Sequence, residues 1–228
     1  NTLIDRTEVA GPGFINIFLT HDAFHKLIPV VRKARDSYGC SDAGEQKRIL
    51  VEFVSANPTG PLHVGHGRGA AYGDALVRVL RAAGYDAASE YYINDAGRQM
   101  DILAVSVLLR YLELCGEECE FPNNAYQGDY VFDIAASLHR DLGEELRQPL
   151  DGFTVSLPAD GDQLLDTLIL RAKTLLGTER FTQIHDLARD TLVDDIRKDL
   201  SLFRVTFDHW FSENTLITGN AVARAVEK

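Results

Sequence analysis

The 228-residue chain is 45% hydrophobic and 25% charged, with 18 Gly and 7 Pro, a globular composition that excludes collagenous, low-complexity and intrinsically disordered classes. No stretch approaches a membrane span, no basic start leads into an apolar run, and three cysteines build no disulfide framework, so the expected compartment is the reducing cytoplasm, with no membrane partner. A net charge of −11 repels phosphate backbones at long range, so DNA is not an expected partner and any nucleic-acid contact is local.

Residues 7–19 alternate loosely around Gly11-Pro12-Gly13 and predict a hairpin. Thr20 is a candidate N-cap for a helix running to about Tyr38, stopped by Gly39. The polar stretch 40–48 predicts a linker at a domain boundary. Residues 49–54 (ILVEFV) are apolar on both strand faces except at Glu52, the pattern of a strand covered on both sides in a parallel α/β sheet. A turn-rich loop, 55–62, leads into a helix from Gly65 to Ala83 with Gly84 as its stop. A second strand over 86–93 and a helix over 96–115 complete a βαβα unit, whose crossover is right-handed.

Beyond Gly116 an irregular loop, with Pro122 and Gly128, precedes three helical stretches near 129–147, 162–177 and 184–203. These predict a helical insertion, about 120–203, in the α/β domain. A third strand is expected at 204–208 and a last helix from about Asn220. The sole methionine is Met100, so Asn1 is not an initiator, and the chain is expected to have been cut from something longer.

The most specific motif is His63-Val64-Gly65-His66, between the first α/β strand and its helix. Helix N–H groups and the helix dipole favour an anion such as a triphosphate. Gly65 lets a flat base or a phosphate approach the backbone. His63 and His66 share one face of the first turn, where ring nitrogens can donate to an α-phosphate under attack. A plain helix cap with two surface histidines, or a metal pair, would use the same residues. Cys115 and Cys119, in an atypical C-x₃-C, supply no obvious further ligands, read as ordinary thiols, and no metal site is expected.

Glu52, in an otherwise apolar strand, must be paired or open into a cleft, because desolvating it alone is costly. With Ser55 and Asn57 it could converge on an amino-bearing substrate beside the nucleotide. A structural ion pair for Glu52, and turn-forming roles for Ser55 and Asn57, are the bland alternatives. Asn94, Asp95, Gly97 and Gln99 form a polar cluster after the second strand, and helix capping by Asn94 or Asp95 explains it equally well.

The wording VEFVSANPTGPLHVGHGRGAAYGDALVRVLRAAGYD (51–86), then EYYINDAGRQMD (90–101), resembles the start of the catalytic domain of bacterial-type arginyl-tRNA synthetases. VAGPGFINIFL (9–19) is similar to the last part of that family's N-terminal additional domain. The resemblance implies a class I Rossmann-type nucleotide-binding domain over 49–228, a linker at 40–48, and an N-terminal-domain remnant at 1–39. It implies ATP with Mg²⁺ as substrate, L-arginine and tRNA(Arg) as partners, and a two-step reaction through arginyl-adenylate. His63 and His66 match the two histidines of the H-I-G-H signature, with Val64 in place of Ile. Ser55, Asn57 and His66 match residues that hold the amino acid, and Glu52 a carboxylate beside them. Asn94, Asp95, Gly97 and Gln99 are carried over on the same basis.

The second family signature, Lys-Met-Ser-Lys-Ser, has no match, because the sole methionine precedes Asp101. The resemblance therefore implies a fragment with little aminoacylation activity of its own, meeting only the acceptor end of tRNA. Two rival readings use the same features: a small adenylyltransferase built on a similar helix start, and a non-catalytic nucleotide-binding module.

Overall fold

The computed structural model describes residues 3–148, 153, 158 and 160–227. The chain forms two compact units: the residues up to Arg48 with Val79–Asp86, and Ile49–Arg78 with the residues from Ala87 onward.

In the first unit, β1 (Ile4–Ala10) and β2 (Phe14–Leu19) pair antiparallel with Glu8 opposite Asn16. Gly11 and Gly13 turn the hairpin at φ +55° and +101°, a region that costs glycine little. The helix α1 (His21–Ala34) follows Thr20 as expected, although Thr20 makes no side-chain cap; its hydroxyl donates to the Leu3 carbonyl at 3.5 Å. The helix ends at Ala34 rather than Tyr38 and tightens into a 3₁₀ turn, Arg35–Ser37.

Residues 41–46 are not a free tether. Ser41, Gly44 and Gln46 donate their amides to the carbonyls of Ala82, Ala83 and Gly84 at 2.9, 2.7 and 2.9 Å. They satisfy acceptors that the end of the following helix leaves open.

The second unit is built on a three-stranded sheet of order β3 (Arg48–Glu52), β4 (Asp86–Ile93), β5 (His209–Ser212). The pair β4–β5 is parallel, with Tyr91 opposite Trp210. The backbone bonds Asp86 N to Lys47 O and Phe53 N to Glu90 O advance along both chains together, as a parallel β3–β4 pair requires. The helix α2 (Val64–Ala82) joins β3 to β4, and Gly84 ends it at φ +85°.

Between β4 and β5 run α3 (Arg98–Leu114), α4 (Asp129–Leu142) and α5 (Gly161–Leu202). α5 is kinked at Gly177, whose φ of +75° is non-helical, so it is two helices meeting at that residue, as the two expected stretches anticipate. Two short helices, α6 (Asn214–Thr218) and α7 (Ala221–Val226), follow β5; α6 was not anticipated.

The larger core lies among α3, α4 and α5. Leu103, Leu108 and Leu112 of α3 pack with Ile134 and Leu138 of α4 and Leu165, Leu168 and Ile184 of α5. The α5 residues Leu165, Leu168, Ile169, Ala172 and Leu176 recur at helical spacing on one stripe. A second cluster joins Tyr91 and Ile93 of β4 to Val193, Ile196 and Leu200 of α5, with Phe53, Phe207 and Trp210 packed against it. Tyr91 and Trp210 stack with ring centroids 4.5 Å apart.

Two strand expectations need correction. The strand after the insertion is 209–212, not 204–208: Arg204 adopts φ +62°, and the Asp208 carboxylate accepts from the Ser89 amide and hydroxyl, both at 2.7 Å, while the Asp208 amide donates to the Ser89 carbonyl at 3.1 Å. β3 is not covered on both faces. It is a sheet edge among the described residues, Leu50 is 57% exposed and Glu52 is exposed, whereas the central strand β4 buries every second residue.

Candidate functional site

The loop from Phe53 to His63 leaves the carboxyl end of β3, where parallel sheets bind ligands. It begins under strain: Val54 and Ser55 have φ of +65° and +41°, a region that a β-branched residue avoids. The Ser55 hydroxyl accepts from the Tyr92 amide at 3.1 Å, and the Tyr91 hydroxyl donates to the Ala56 carbonyl at 3.0 Å. Both tyrosines stand on β4, so the sheet itself fixes the loop. Burial pushes the Tyr91 hydroxyl up to about 12, so it remains a donor at any physiological pH.

At the mouth of α2 the two histidines cap the helix on themselves. The Gly65 amide donates to His63 Nδ1 at 3.1 Å, and the His63 amide donates to His66 Nδ1 at 3.3 Å. This is the reciprocal logic of a capping box with imidazoles in place of hydroxyl and carboxylate. The rings stack with centroids 3.7 Å apart and planes 22° apart. Because each Nδ1 accepts, each ring when neutral carries its proton on Nε2, which can then act as a donor. Gly65 leaves room for the His63 ring: a Cβ there would lie 2.9 Å from His63 Cε1.

Burial first, and the charge of a protonated His63 second, hold the His66 imidazole below its ordinary value of 6.5. The folded state therefore favours the neutral ring; its contribution is complete above pH 6.5 and is lost as pH falls through the lowered value. Ring NMR is expected to give His66 a titration midpoint below 6.5, with exchange of the His63 amide rising over the same window. A His66 midpoint at or above 6.5 would contradict the self-capped geometry.

His63 and His66 share a cavity of about 430 Å³ with Asn57, Gln99, Tyr126 and Tyr130. Asn57 Nδ2 donates to Gln99 Oε1 at 2.5 Å, tying the loop to the first turn of α3. Four of the residues singled out from sequence thus line one space. The others fall elsewhere. Ser55 and Gly65 support the loop and the cap as described.

Glu52 is exposed on the edge strand, so the desolvation argument for it does not hold. Asp95 is 3% exposed and accepts from Ser212 Oγ at 2.7 Å and from the Asn214 amide at 3.0 Å, clamping the end of β4 to the start of α6. It does not cap α3; Gly97, at φ +93°, takes that position. Asp95 and Gly97 line a second cavity of about 420 Å³ with Lys173 and His185, and Asn94 is half-buried.

Tyr126 and Tyr130 escaped the sequence reading. Their only local signal is a pair of aromatics flanking Gly128 before an amphipathic helix, a pattern shared with ordinary core residues. Among the described residues, no group of three or more His, Cys, Asp or Glu side chains gathers to hold a metal ion, and no helix is long and apolar enough to cross a membrane.

Residues 30–162 match the family described as tRNA synthetases class I (R), catalytic domain. The chain is 53% identical to an arginine–tRNA ligase of Thioalkalivibrio sulfidiphilus over 99% of its own length and 40% of that protein's. It is 47% identical to an arginine–tRNA ligase of Hydrogenovibrio crunogenus, again over 99% of this chain and 40% of the relative. The chain therefore spans about 40% of the length of the curated relatives it matches. Among solved structures, an arginyl tRNA synthetase from Campylobacter jejuni superposes with a TM-score of 0.67 at 29% identity, over 89% of this chain and 39% of that one.

Proposed function

This chain belongs to the class I (R) tRNA synthetase catalytic-domain family, and on that premise we propose that it supplies the ATP-binding, arginine-activating loop of an arginine–tRNA ligase. The observation that carries the proposal is the meeting of His63, His66, Asn57 and Gln99 on one cavity at the N-terminus of a 19-residue helix. In the proposed reaction the carboxylate of L-arginine attacks the α-phosphorus of ATP, and the bond to pyrophosphate breaks. Arginyl-adenylate forms, and the arginyl group then passes to the terminal ribose of tRNA(Arg).

In this reading the Nε2–H groups of His63 and His66 donate to phosphate oxygens as charge builds there, and the α2 dipole favours the same anion. Neutral rings suit this role, because each keeps one nitrogen for the cap and one for the ligand. Mg²⁺ enters with ATP as part of the substrate. Asn57 and Gln99, paired across the cavity, are the polar groups proposed to meet the amino acid, with Ser55 supporting the loop from behind. The acidic chain is expected to meet only the acceptor end of tRNA.

The test is isotope exchange between pyrophosphate and ATP, run on the full-length protein that carries this sequence. Exchange that requires L-arginine is the expected result. Exchange driven instead by a pantetheine phosphate or a nicotinamide nucleotide would overturn the assignment in favour of another adenylyl transfer.

A further inference from the structure

The loop that carries Asn57, His63 and His66 is held from the sheet side by Tyr91 and Tyr92. Its opposite side is held by one residue of the helical insertion. Tyr130, in the first turn of α4, donates its hydroxyl to the Thr59 carbonyl at 2.7 Å. Thr59 in turn donates its amide to the Asn57 carbonyl at 2.8 Å. A two-bond relay thus runs from the insertion to the residue whose side chain meets Gln99.

The Tyr130 ring lies against two glycines. A Cβ on Gly60 would lie 3.3 Å from its hydroxyl oxygen, and one on Gly128 would lie 2.4 Å from its Cε1. Two glycines, one in the loop and one just before α4, therefore give the ring a slot that any side chain would narrow. The ring is also packed against the α3–α4–α5 core, and its neighbour Tyr126 is fixed by donating its amide to Ser106 Oγ of α3 at 3.0 Å. Burial first, then the nearby Tyr126, push the Tyr130 hydroxyl up to about 12, so it stays a neutral donor across physiological pH.

We propose that Tyr130 is a positioning residue for the proposed activation step: its hydroxyl sets the Thr59–Gly60 turn and, through it, the placement of Asn57 against the histidine cap. The role rests on the functional reading above, but its structural half stands apart from that reading. A plain packing residue would need only the ring. A positioning residue needs the hydroxyl, because the bond it makes lies on the loop backbone rather than in the core.

Tyr130→Phe separates the two, since it keeps the ring in its slot and removes one hydrogen bond of ordinary net strength. In the full-length protein, kcat for arginine-dependent pyrophosphate exchange is expected to fall about tenfold, with KM for ATP changing less than about twofold. Exchange of the Thr59 amide, read by NMR or mass spectrometry, is expected to quicken about tenfold while the amides of α3 keep their rates. Unchanged kcat and an unchanged Thr59 amide would overturn the proposal. So would loosening of α3 and the loop together with kcat intact, since that marks packing alone. A wild-type protein with no arginine-dependent exchange would instead sink the functional reading, and the Thr59 amide alone would then decide whether Tyr130 sets the loop.

Discussion

Replacing His66 with Ala is expected to lower kcat for the proposed arginine-dependent pyrophosphate exchange by about 10²- to 10³-fold, the usual cost of removing one preorganised donor at a developing anion. Two losses combine in this variant. The Nε2–H disappears, and so does the Nδ1 acceptor that holds the His63 amide at 3.3 Å. Because the two rings stack at 3.7 Å, His63 also loses the surface that orients it. His66→Asn distinguishes the effects: its side-chain oxygen can accept from the His63 amide while its amide group remains a donor. It is therefore expected to restore the cap and recover part of the rate. Cap loss in the Ala variant is expected to cost about 0.5–2 kcal/mol of stability, read as a lowered urea midpoint. An Ala variant within threefold of wild type in kcat would remove the histidines from the chemistry.

The second large effect is structural and sits where the site begins. Gly73 is buried in α2 with the Phe53 ring laid against it, so that a Cβ there would be 2.1 Å from Phe53 Cγ. Gly73→Ala forces Phe53 out of a cluster that includes Phe207, whose ring centroid is 4.4 Å away. Overpacking of this kind costs about 1–3 kcal/mol despite the higher helix propensity of alanine. Phe53 immediately precedes the left-handed residues Val54 and Ser55, so activity is expected to fall with stability. Trimming the ring in a Gly73→Ala/Phe53→Leu double variant should return much of the urea midpoint, because the two changes share one contact. Additive losses in the double variant would mean that the Phe53 contact is not what the glycine accommodates.

What could be read from sequence divides along a physical line. Gly11-Pro12-Gly13 announced a hairpin because turn chemistry is local, and Gly84 announced the end of α2 for the same reason. The class of the domain followed from strands alternating with helices. By contrast, ILVEFV looked doubly covered because an apolar run records hydrophobicity and not the position of a strand in its sheet. RVTFD alternates as well as a strand should, yet Arg204 turns left-handed and the Asp208 carboxylate takes the Ser89 amide. At the site, the histidine pair and Asn57 were legible because their spacing on a loop and first turn is local. Tyr126 and Tyr130 were not, since only the fold brings α4 against a loop so distant in the chain. Gly65 was legible as special, and a Cβ there would lie 2.9 Å from His63 Cε1.

The two cores of the second unit differ in how far along the chain they must reach. Among the described residues α3, α4 and α5 follow one another without an intervening strand, so their contacts join elements adjacent in the chain. The sheet instead needs β3 and β4 to be met by β5, whose residues begin only at His209. Short-range closures outpace long-range ones, because a larger loop entropy must be met before distant contacts form. On that ground the helical bundle is expected to close before β5 joins the sheet. Such an order leaves β5 to dock on a helical scaffold that has already closed.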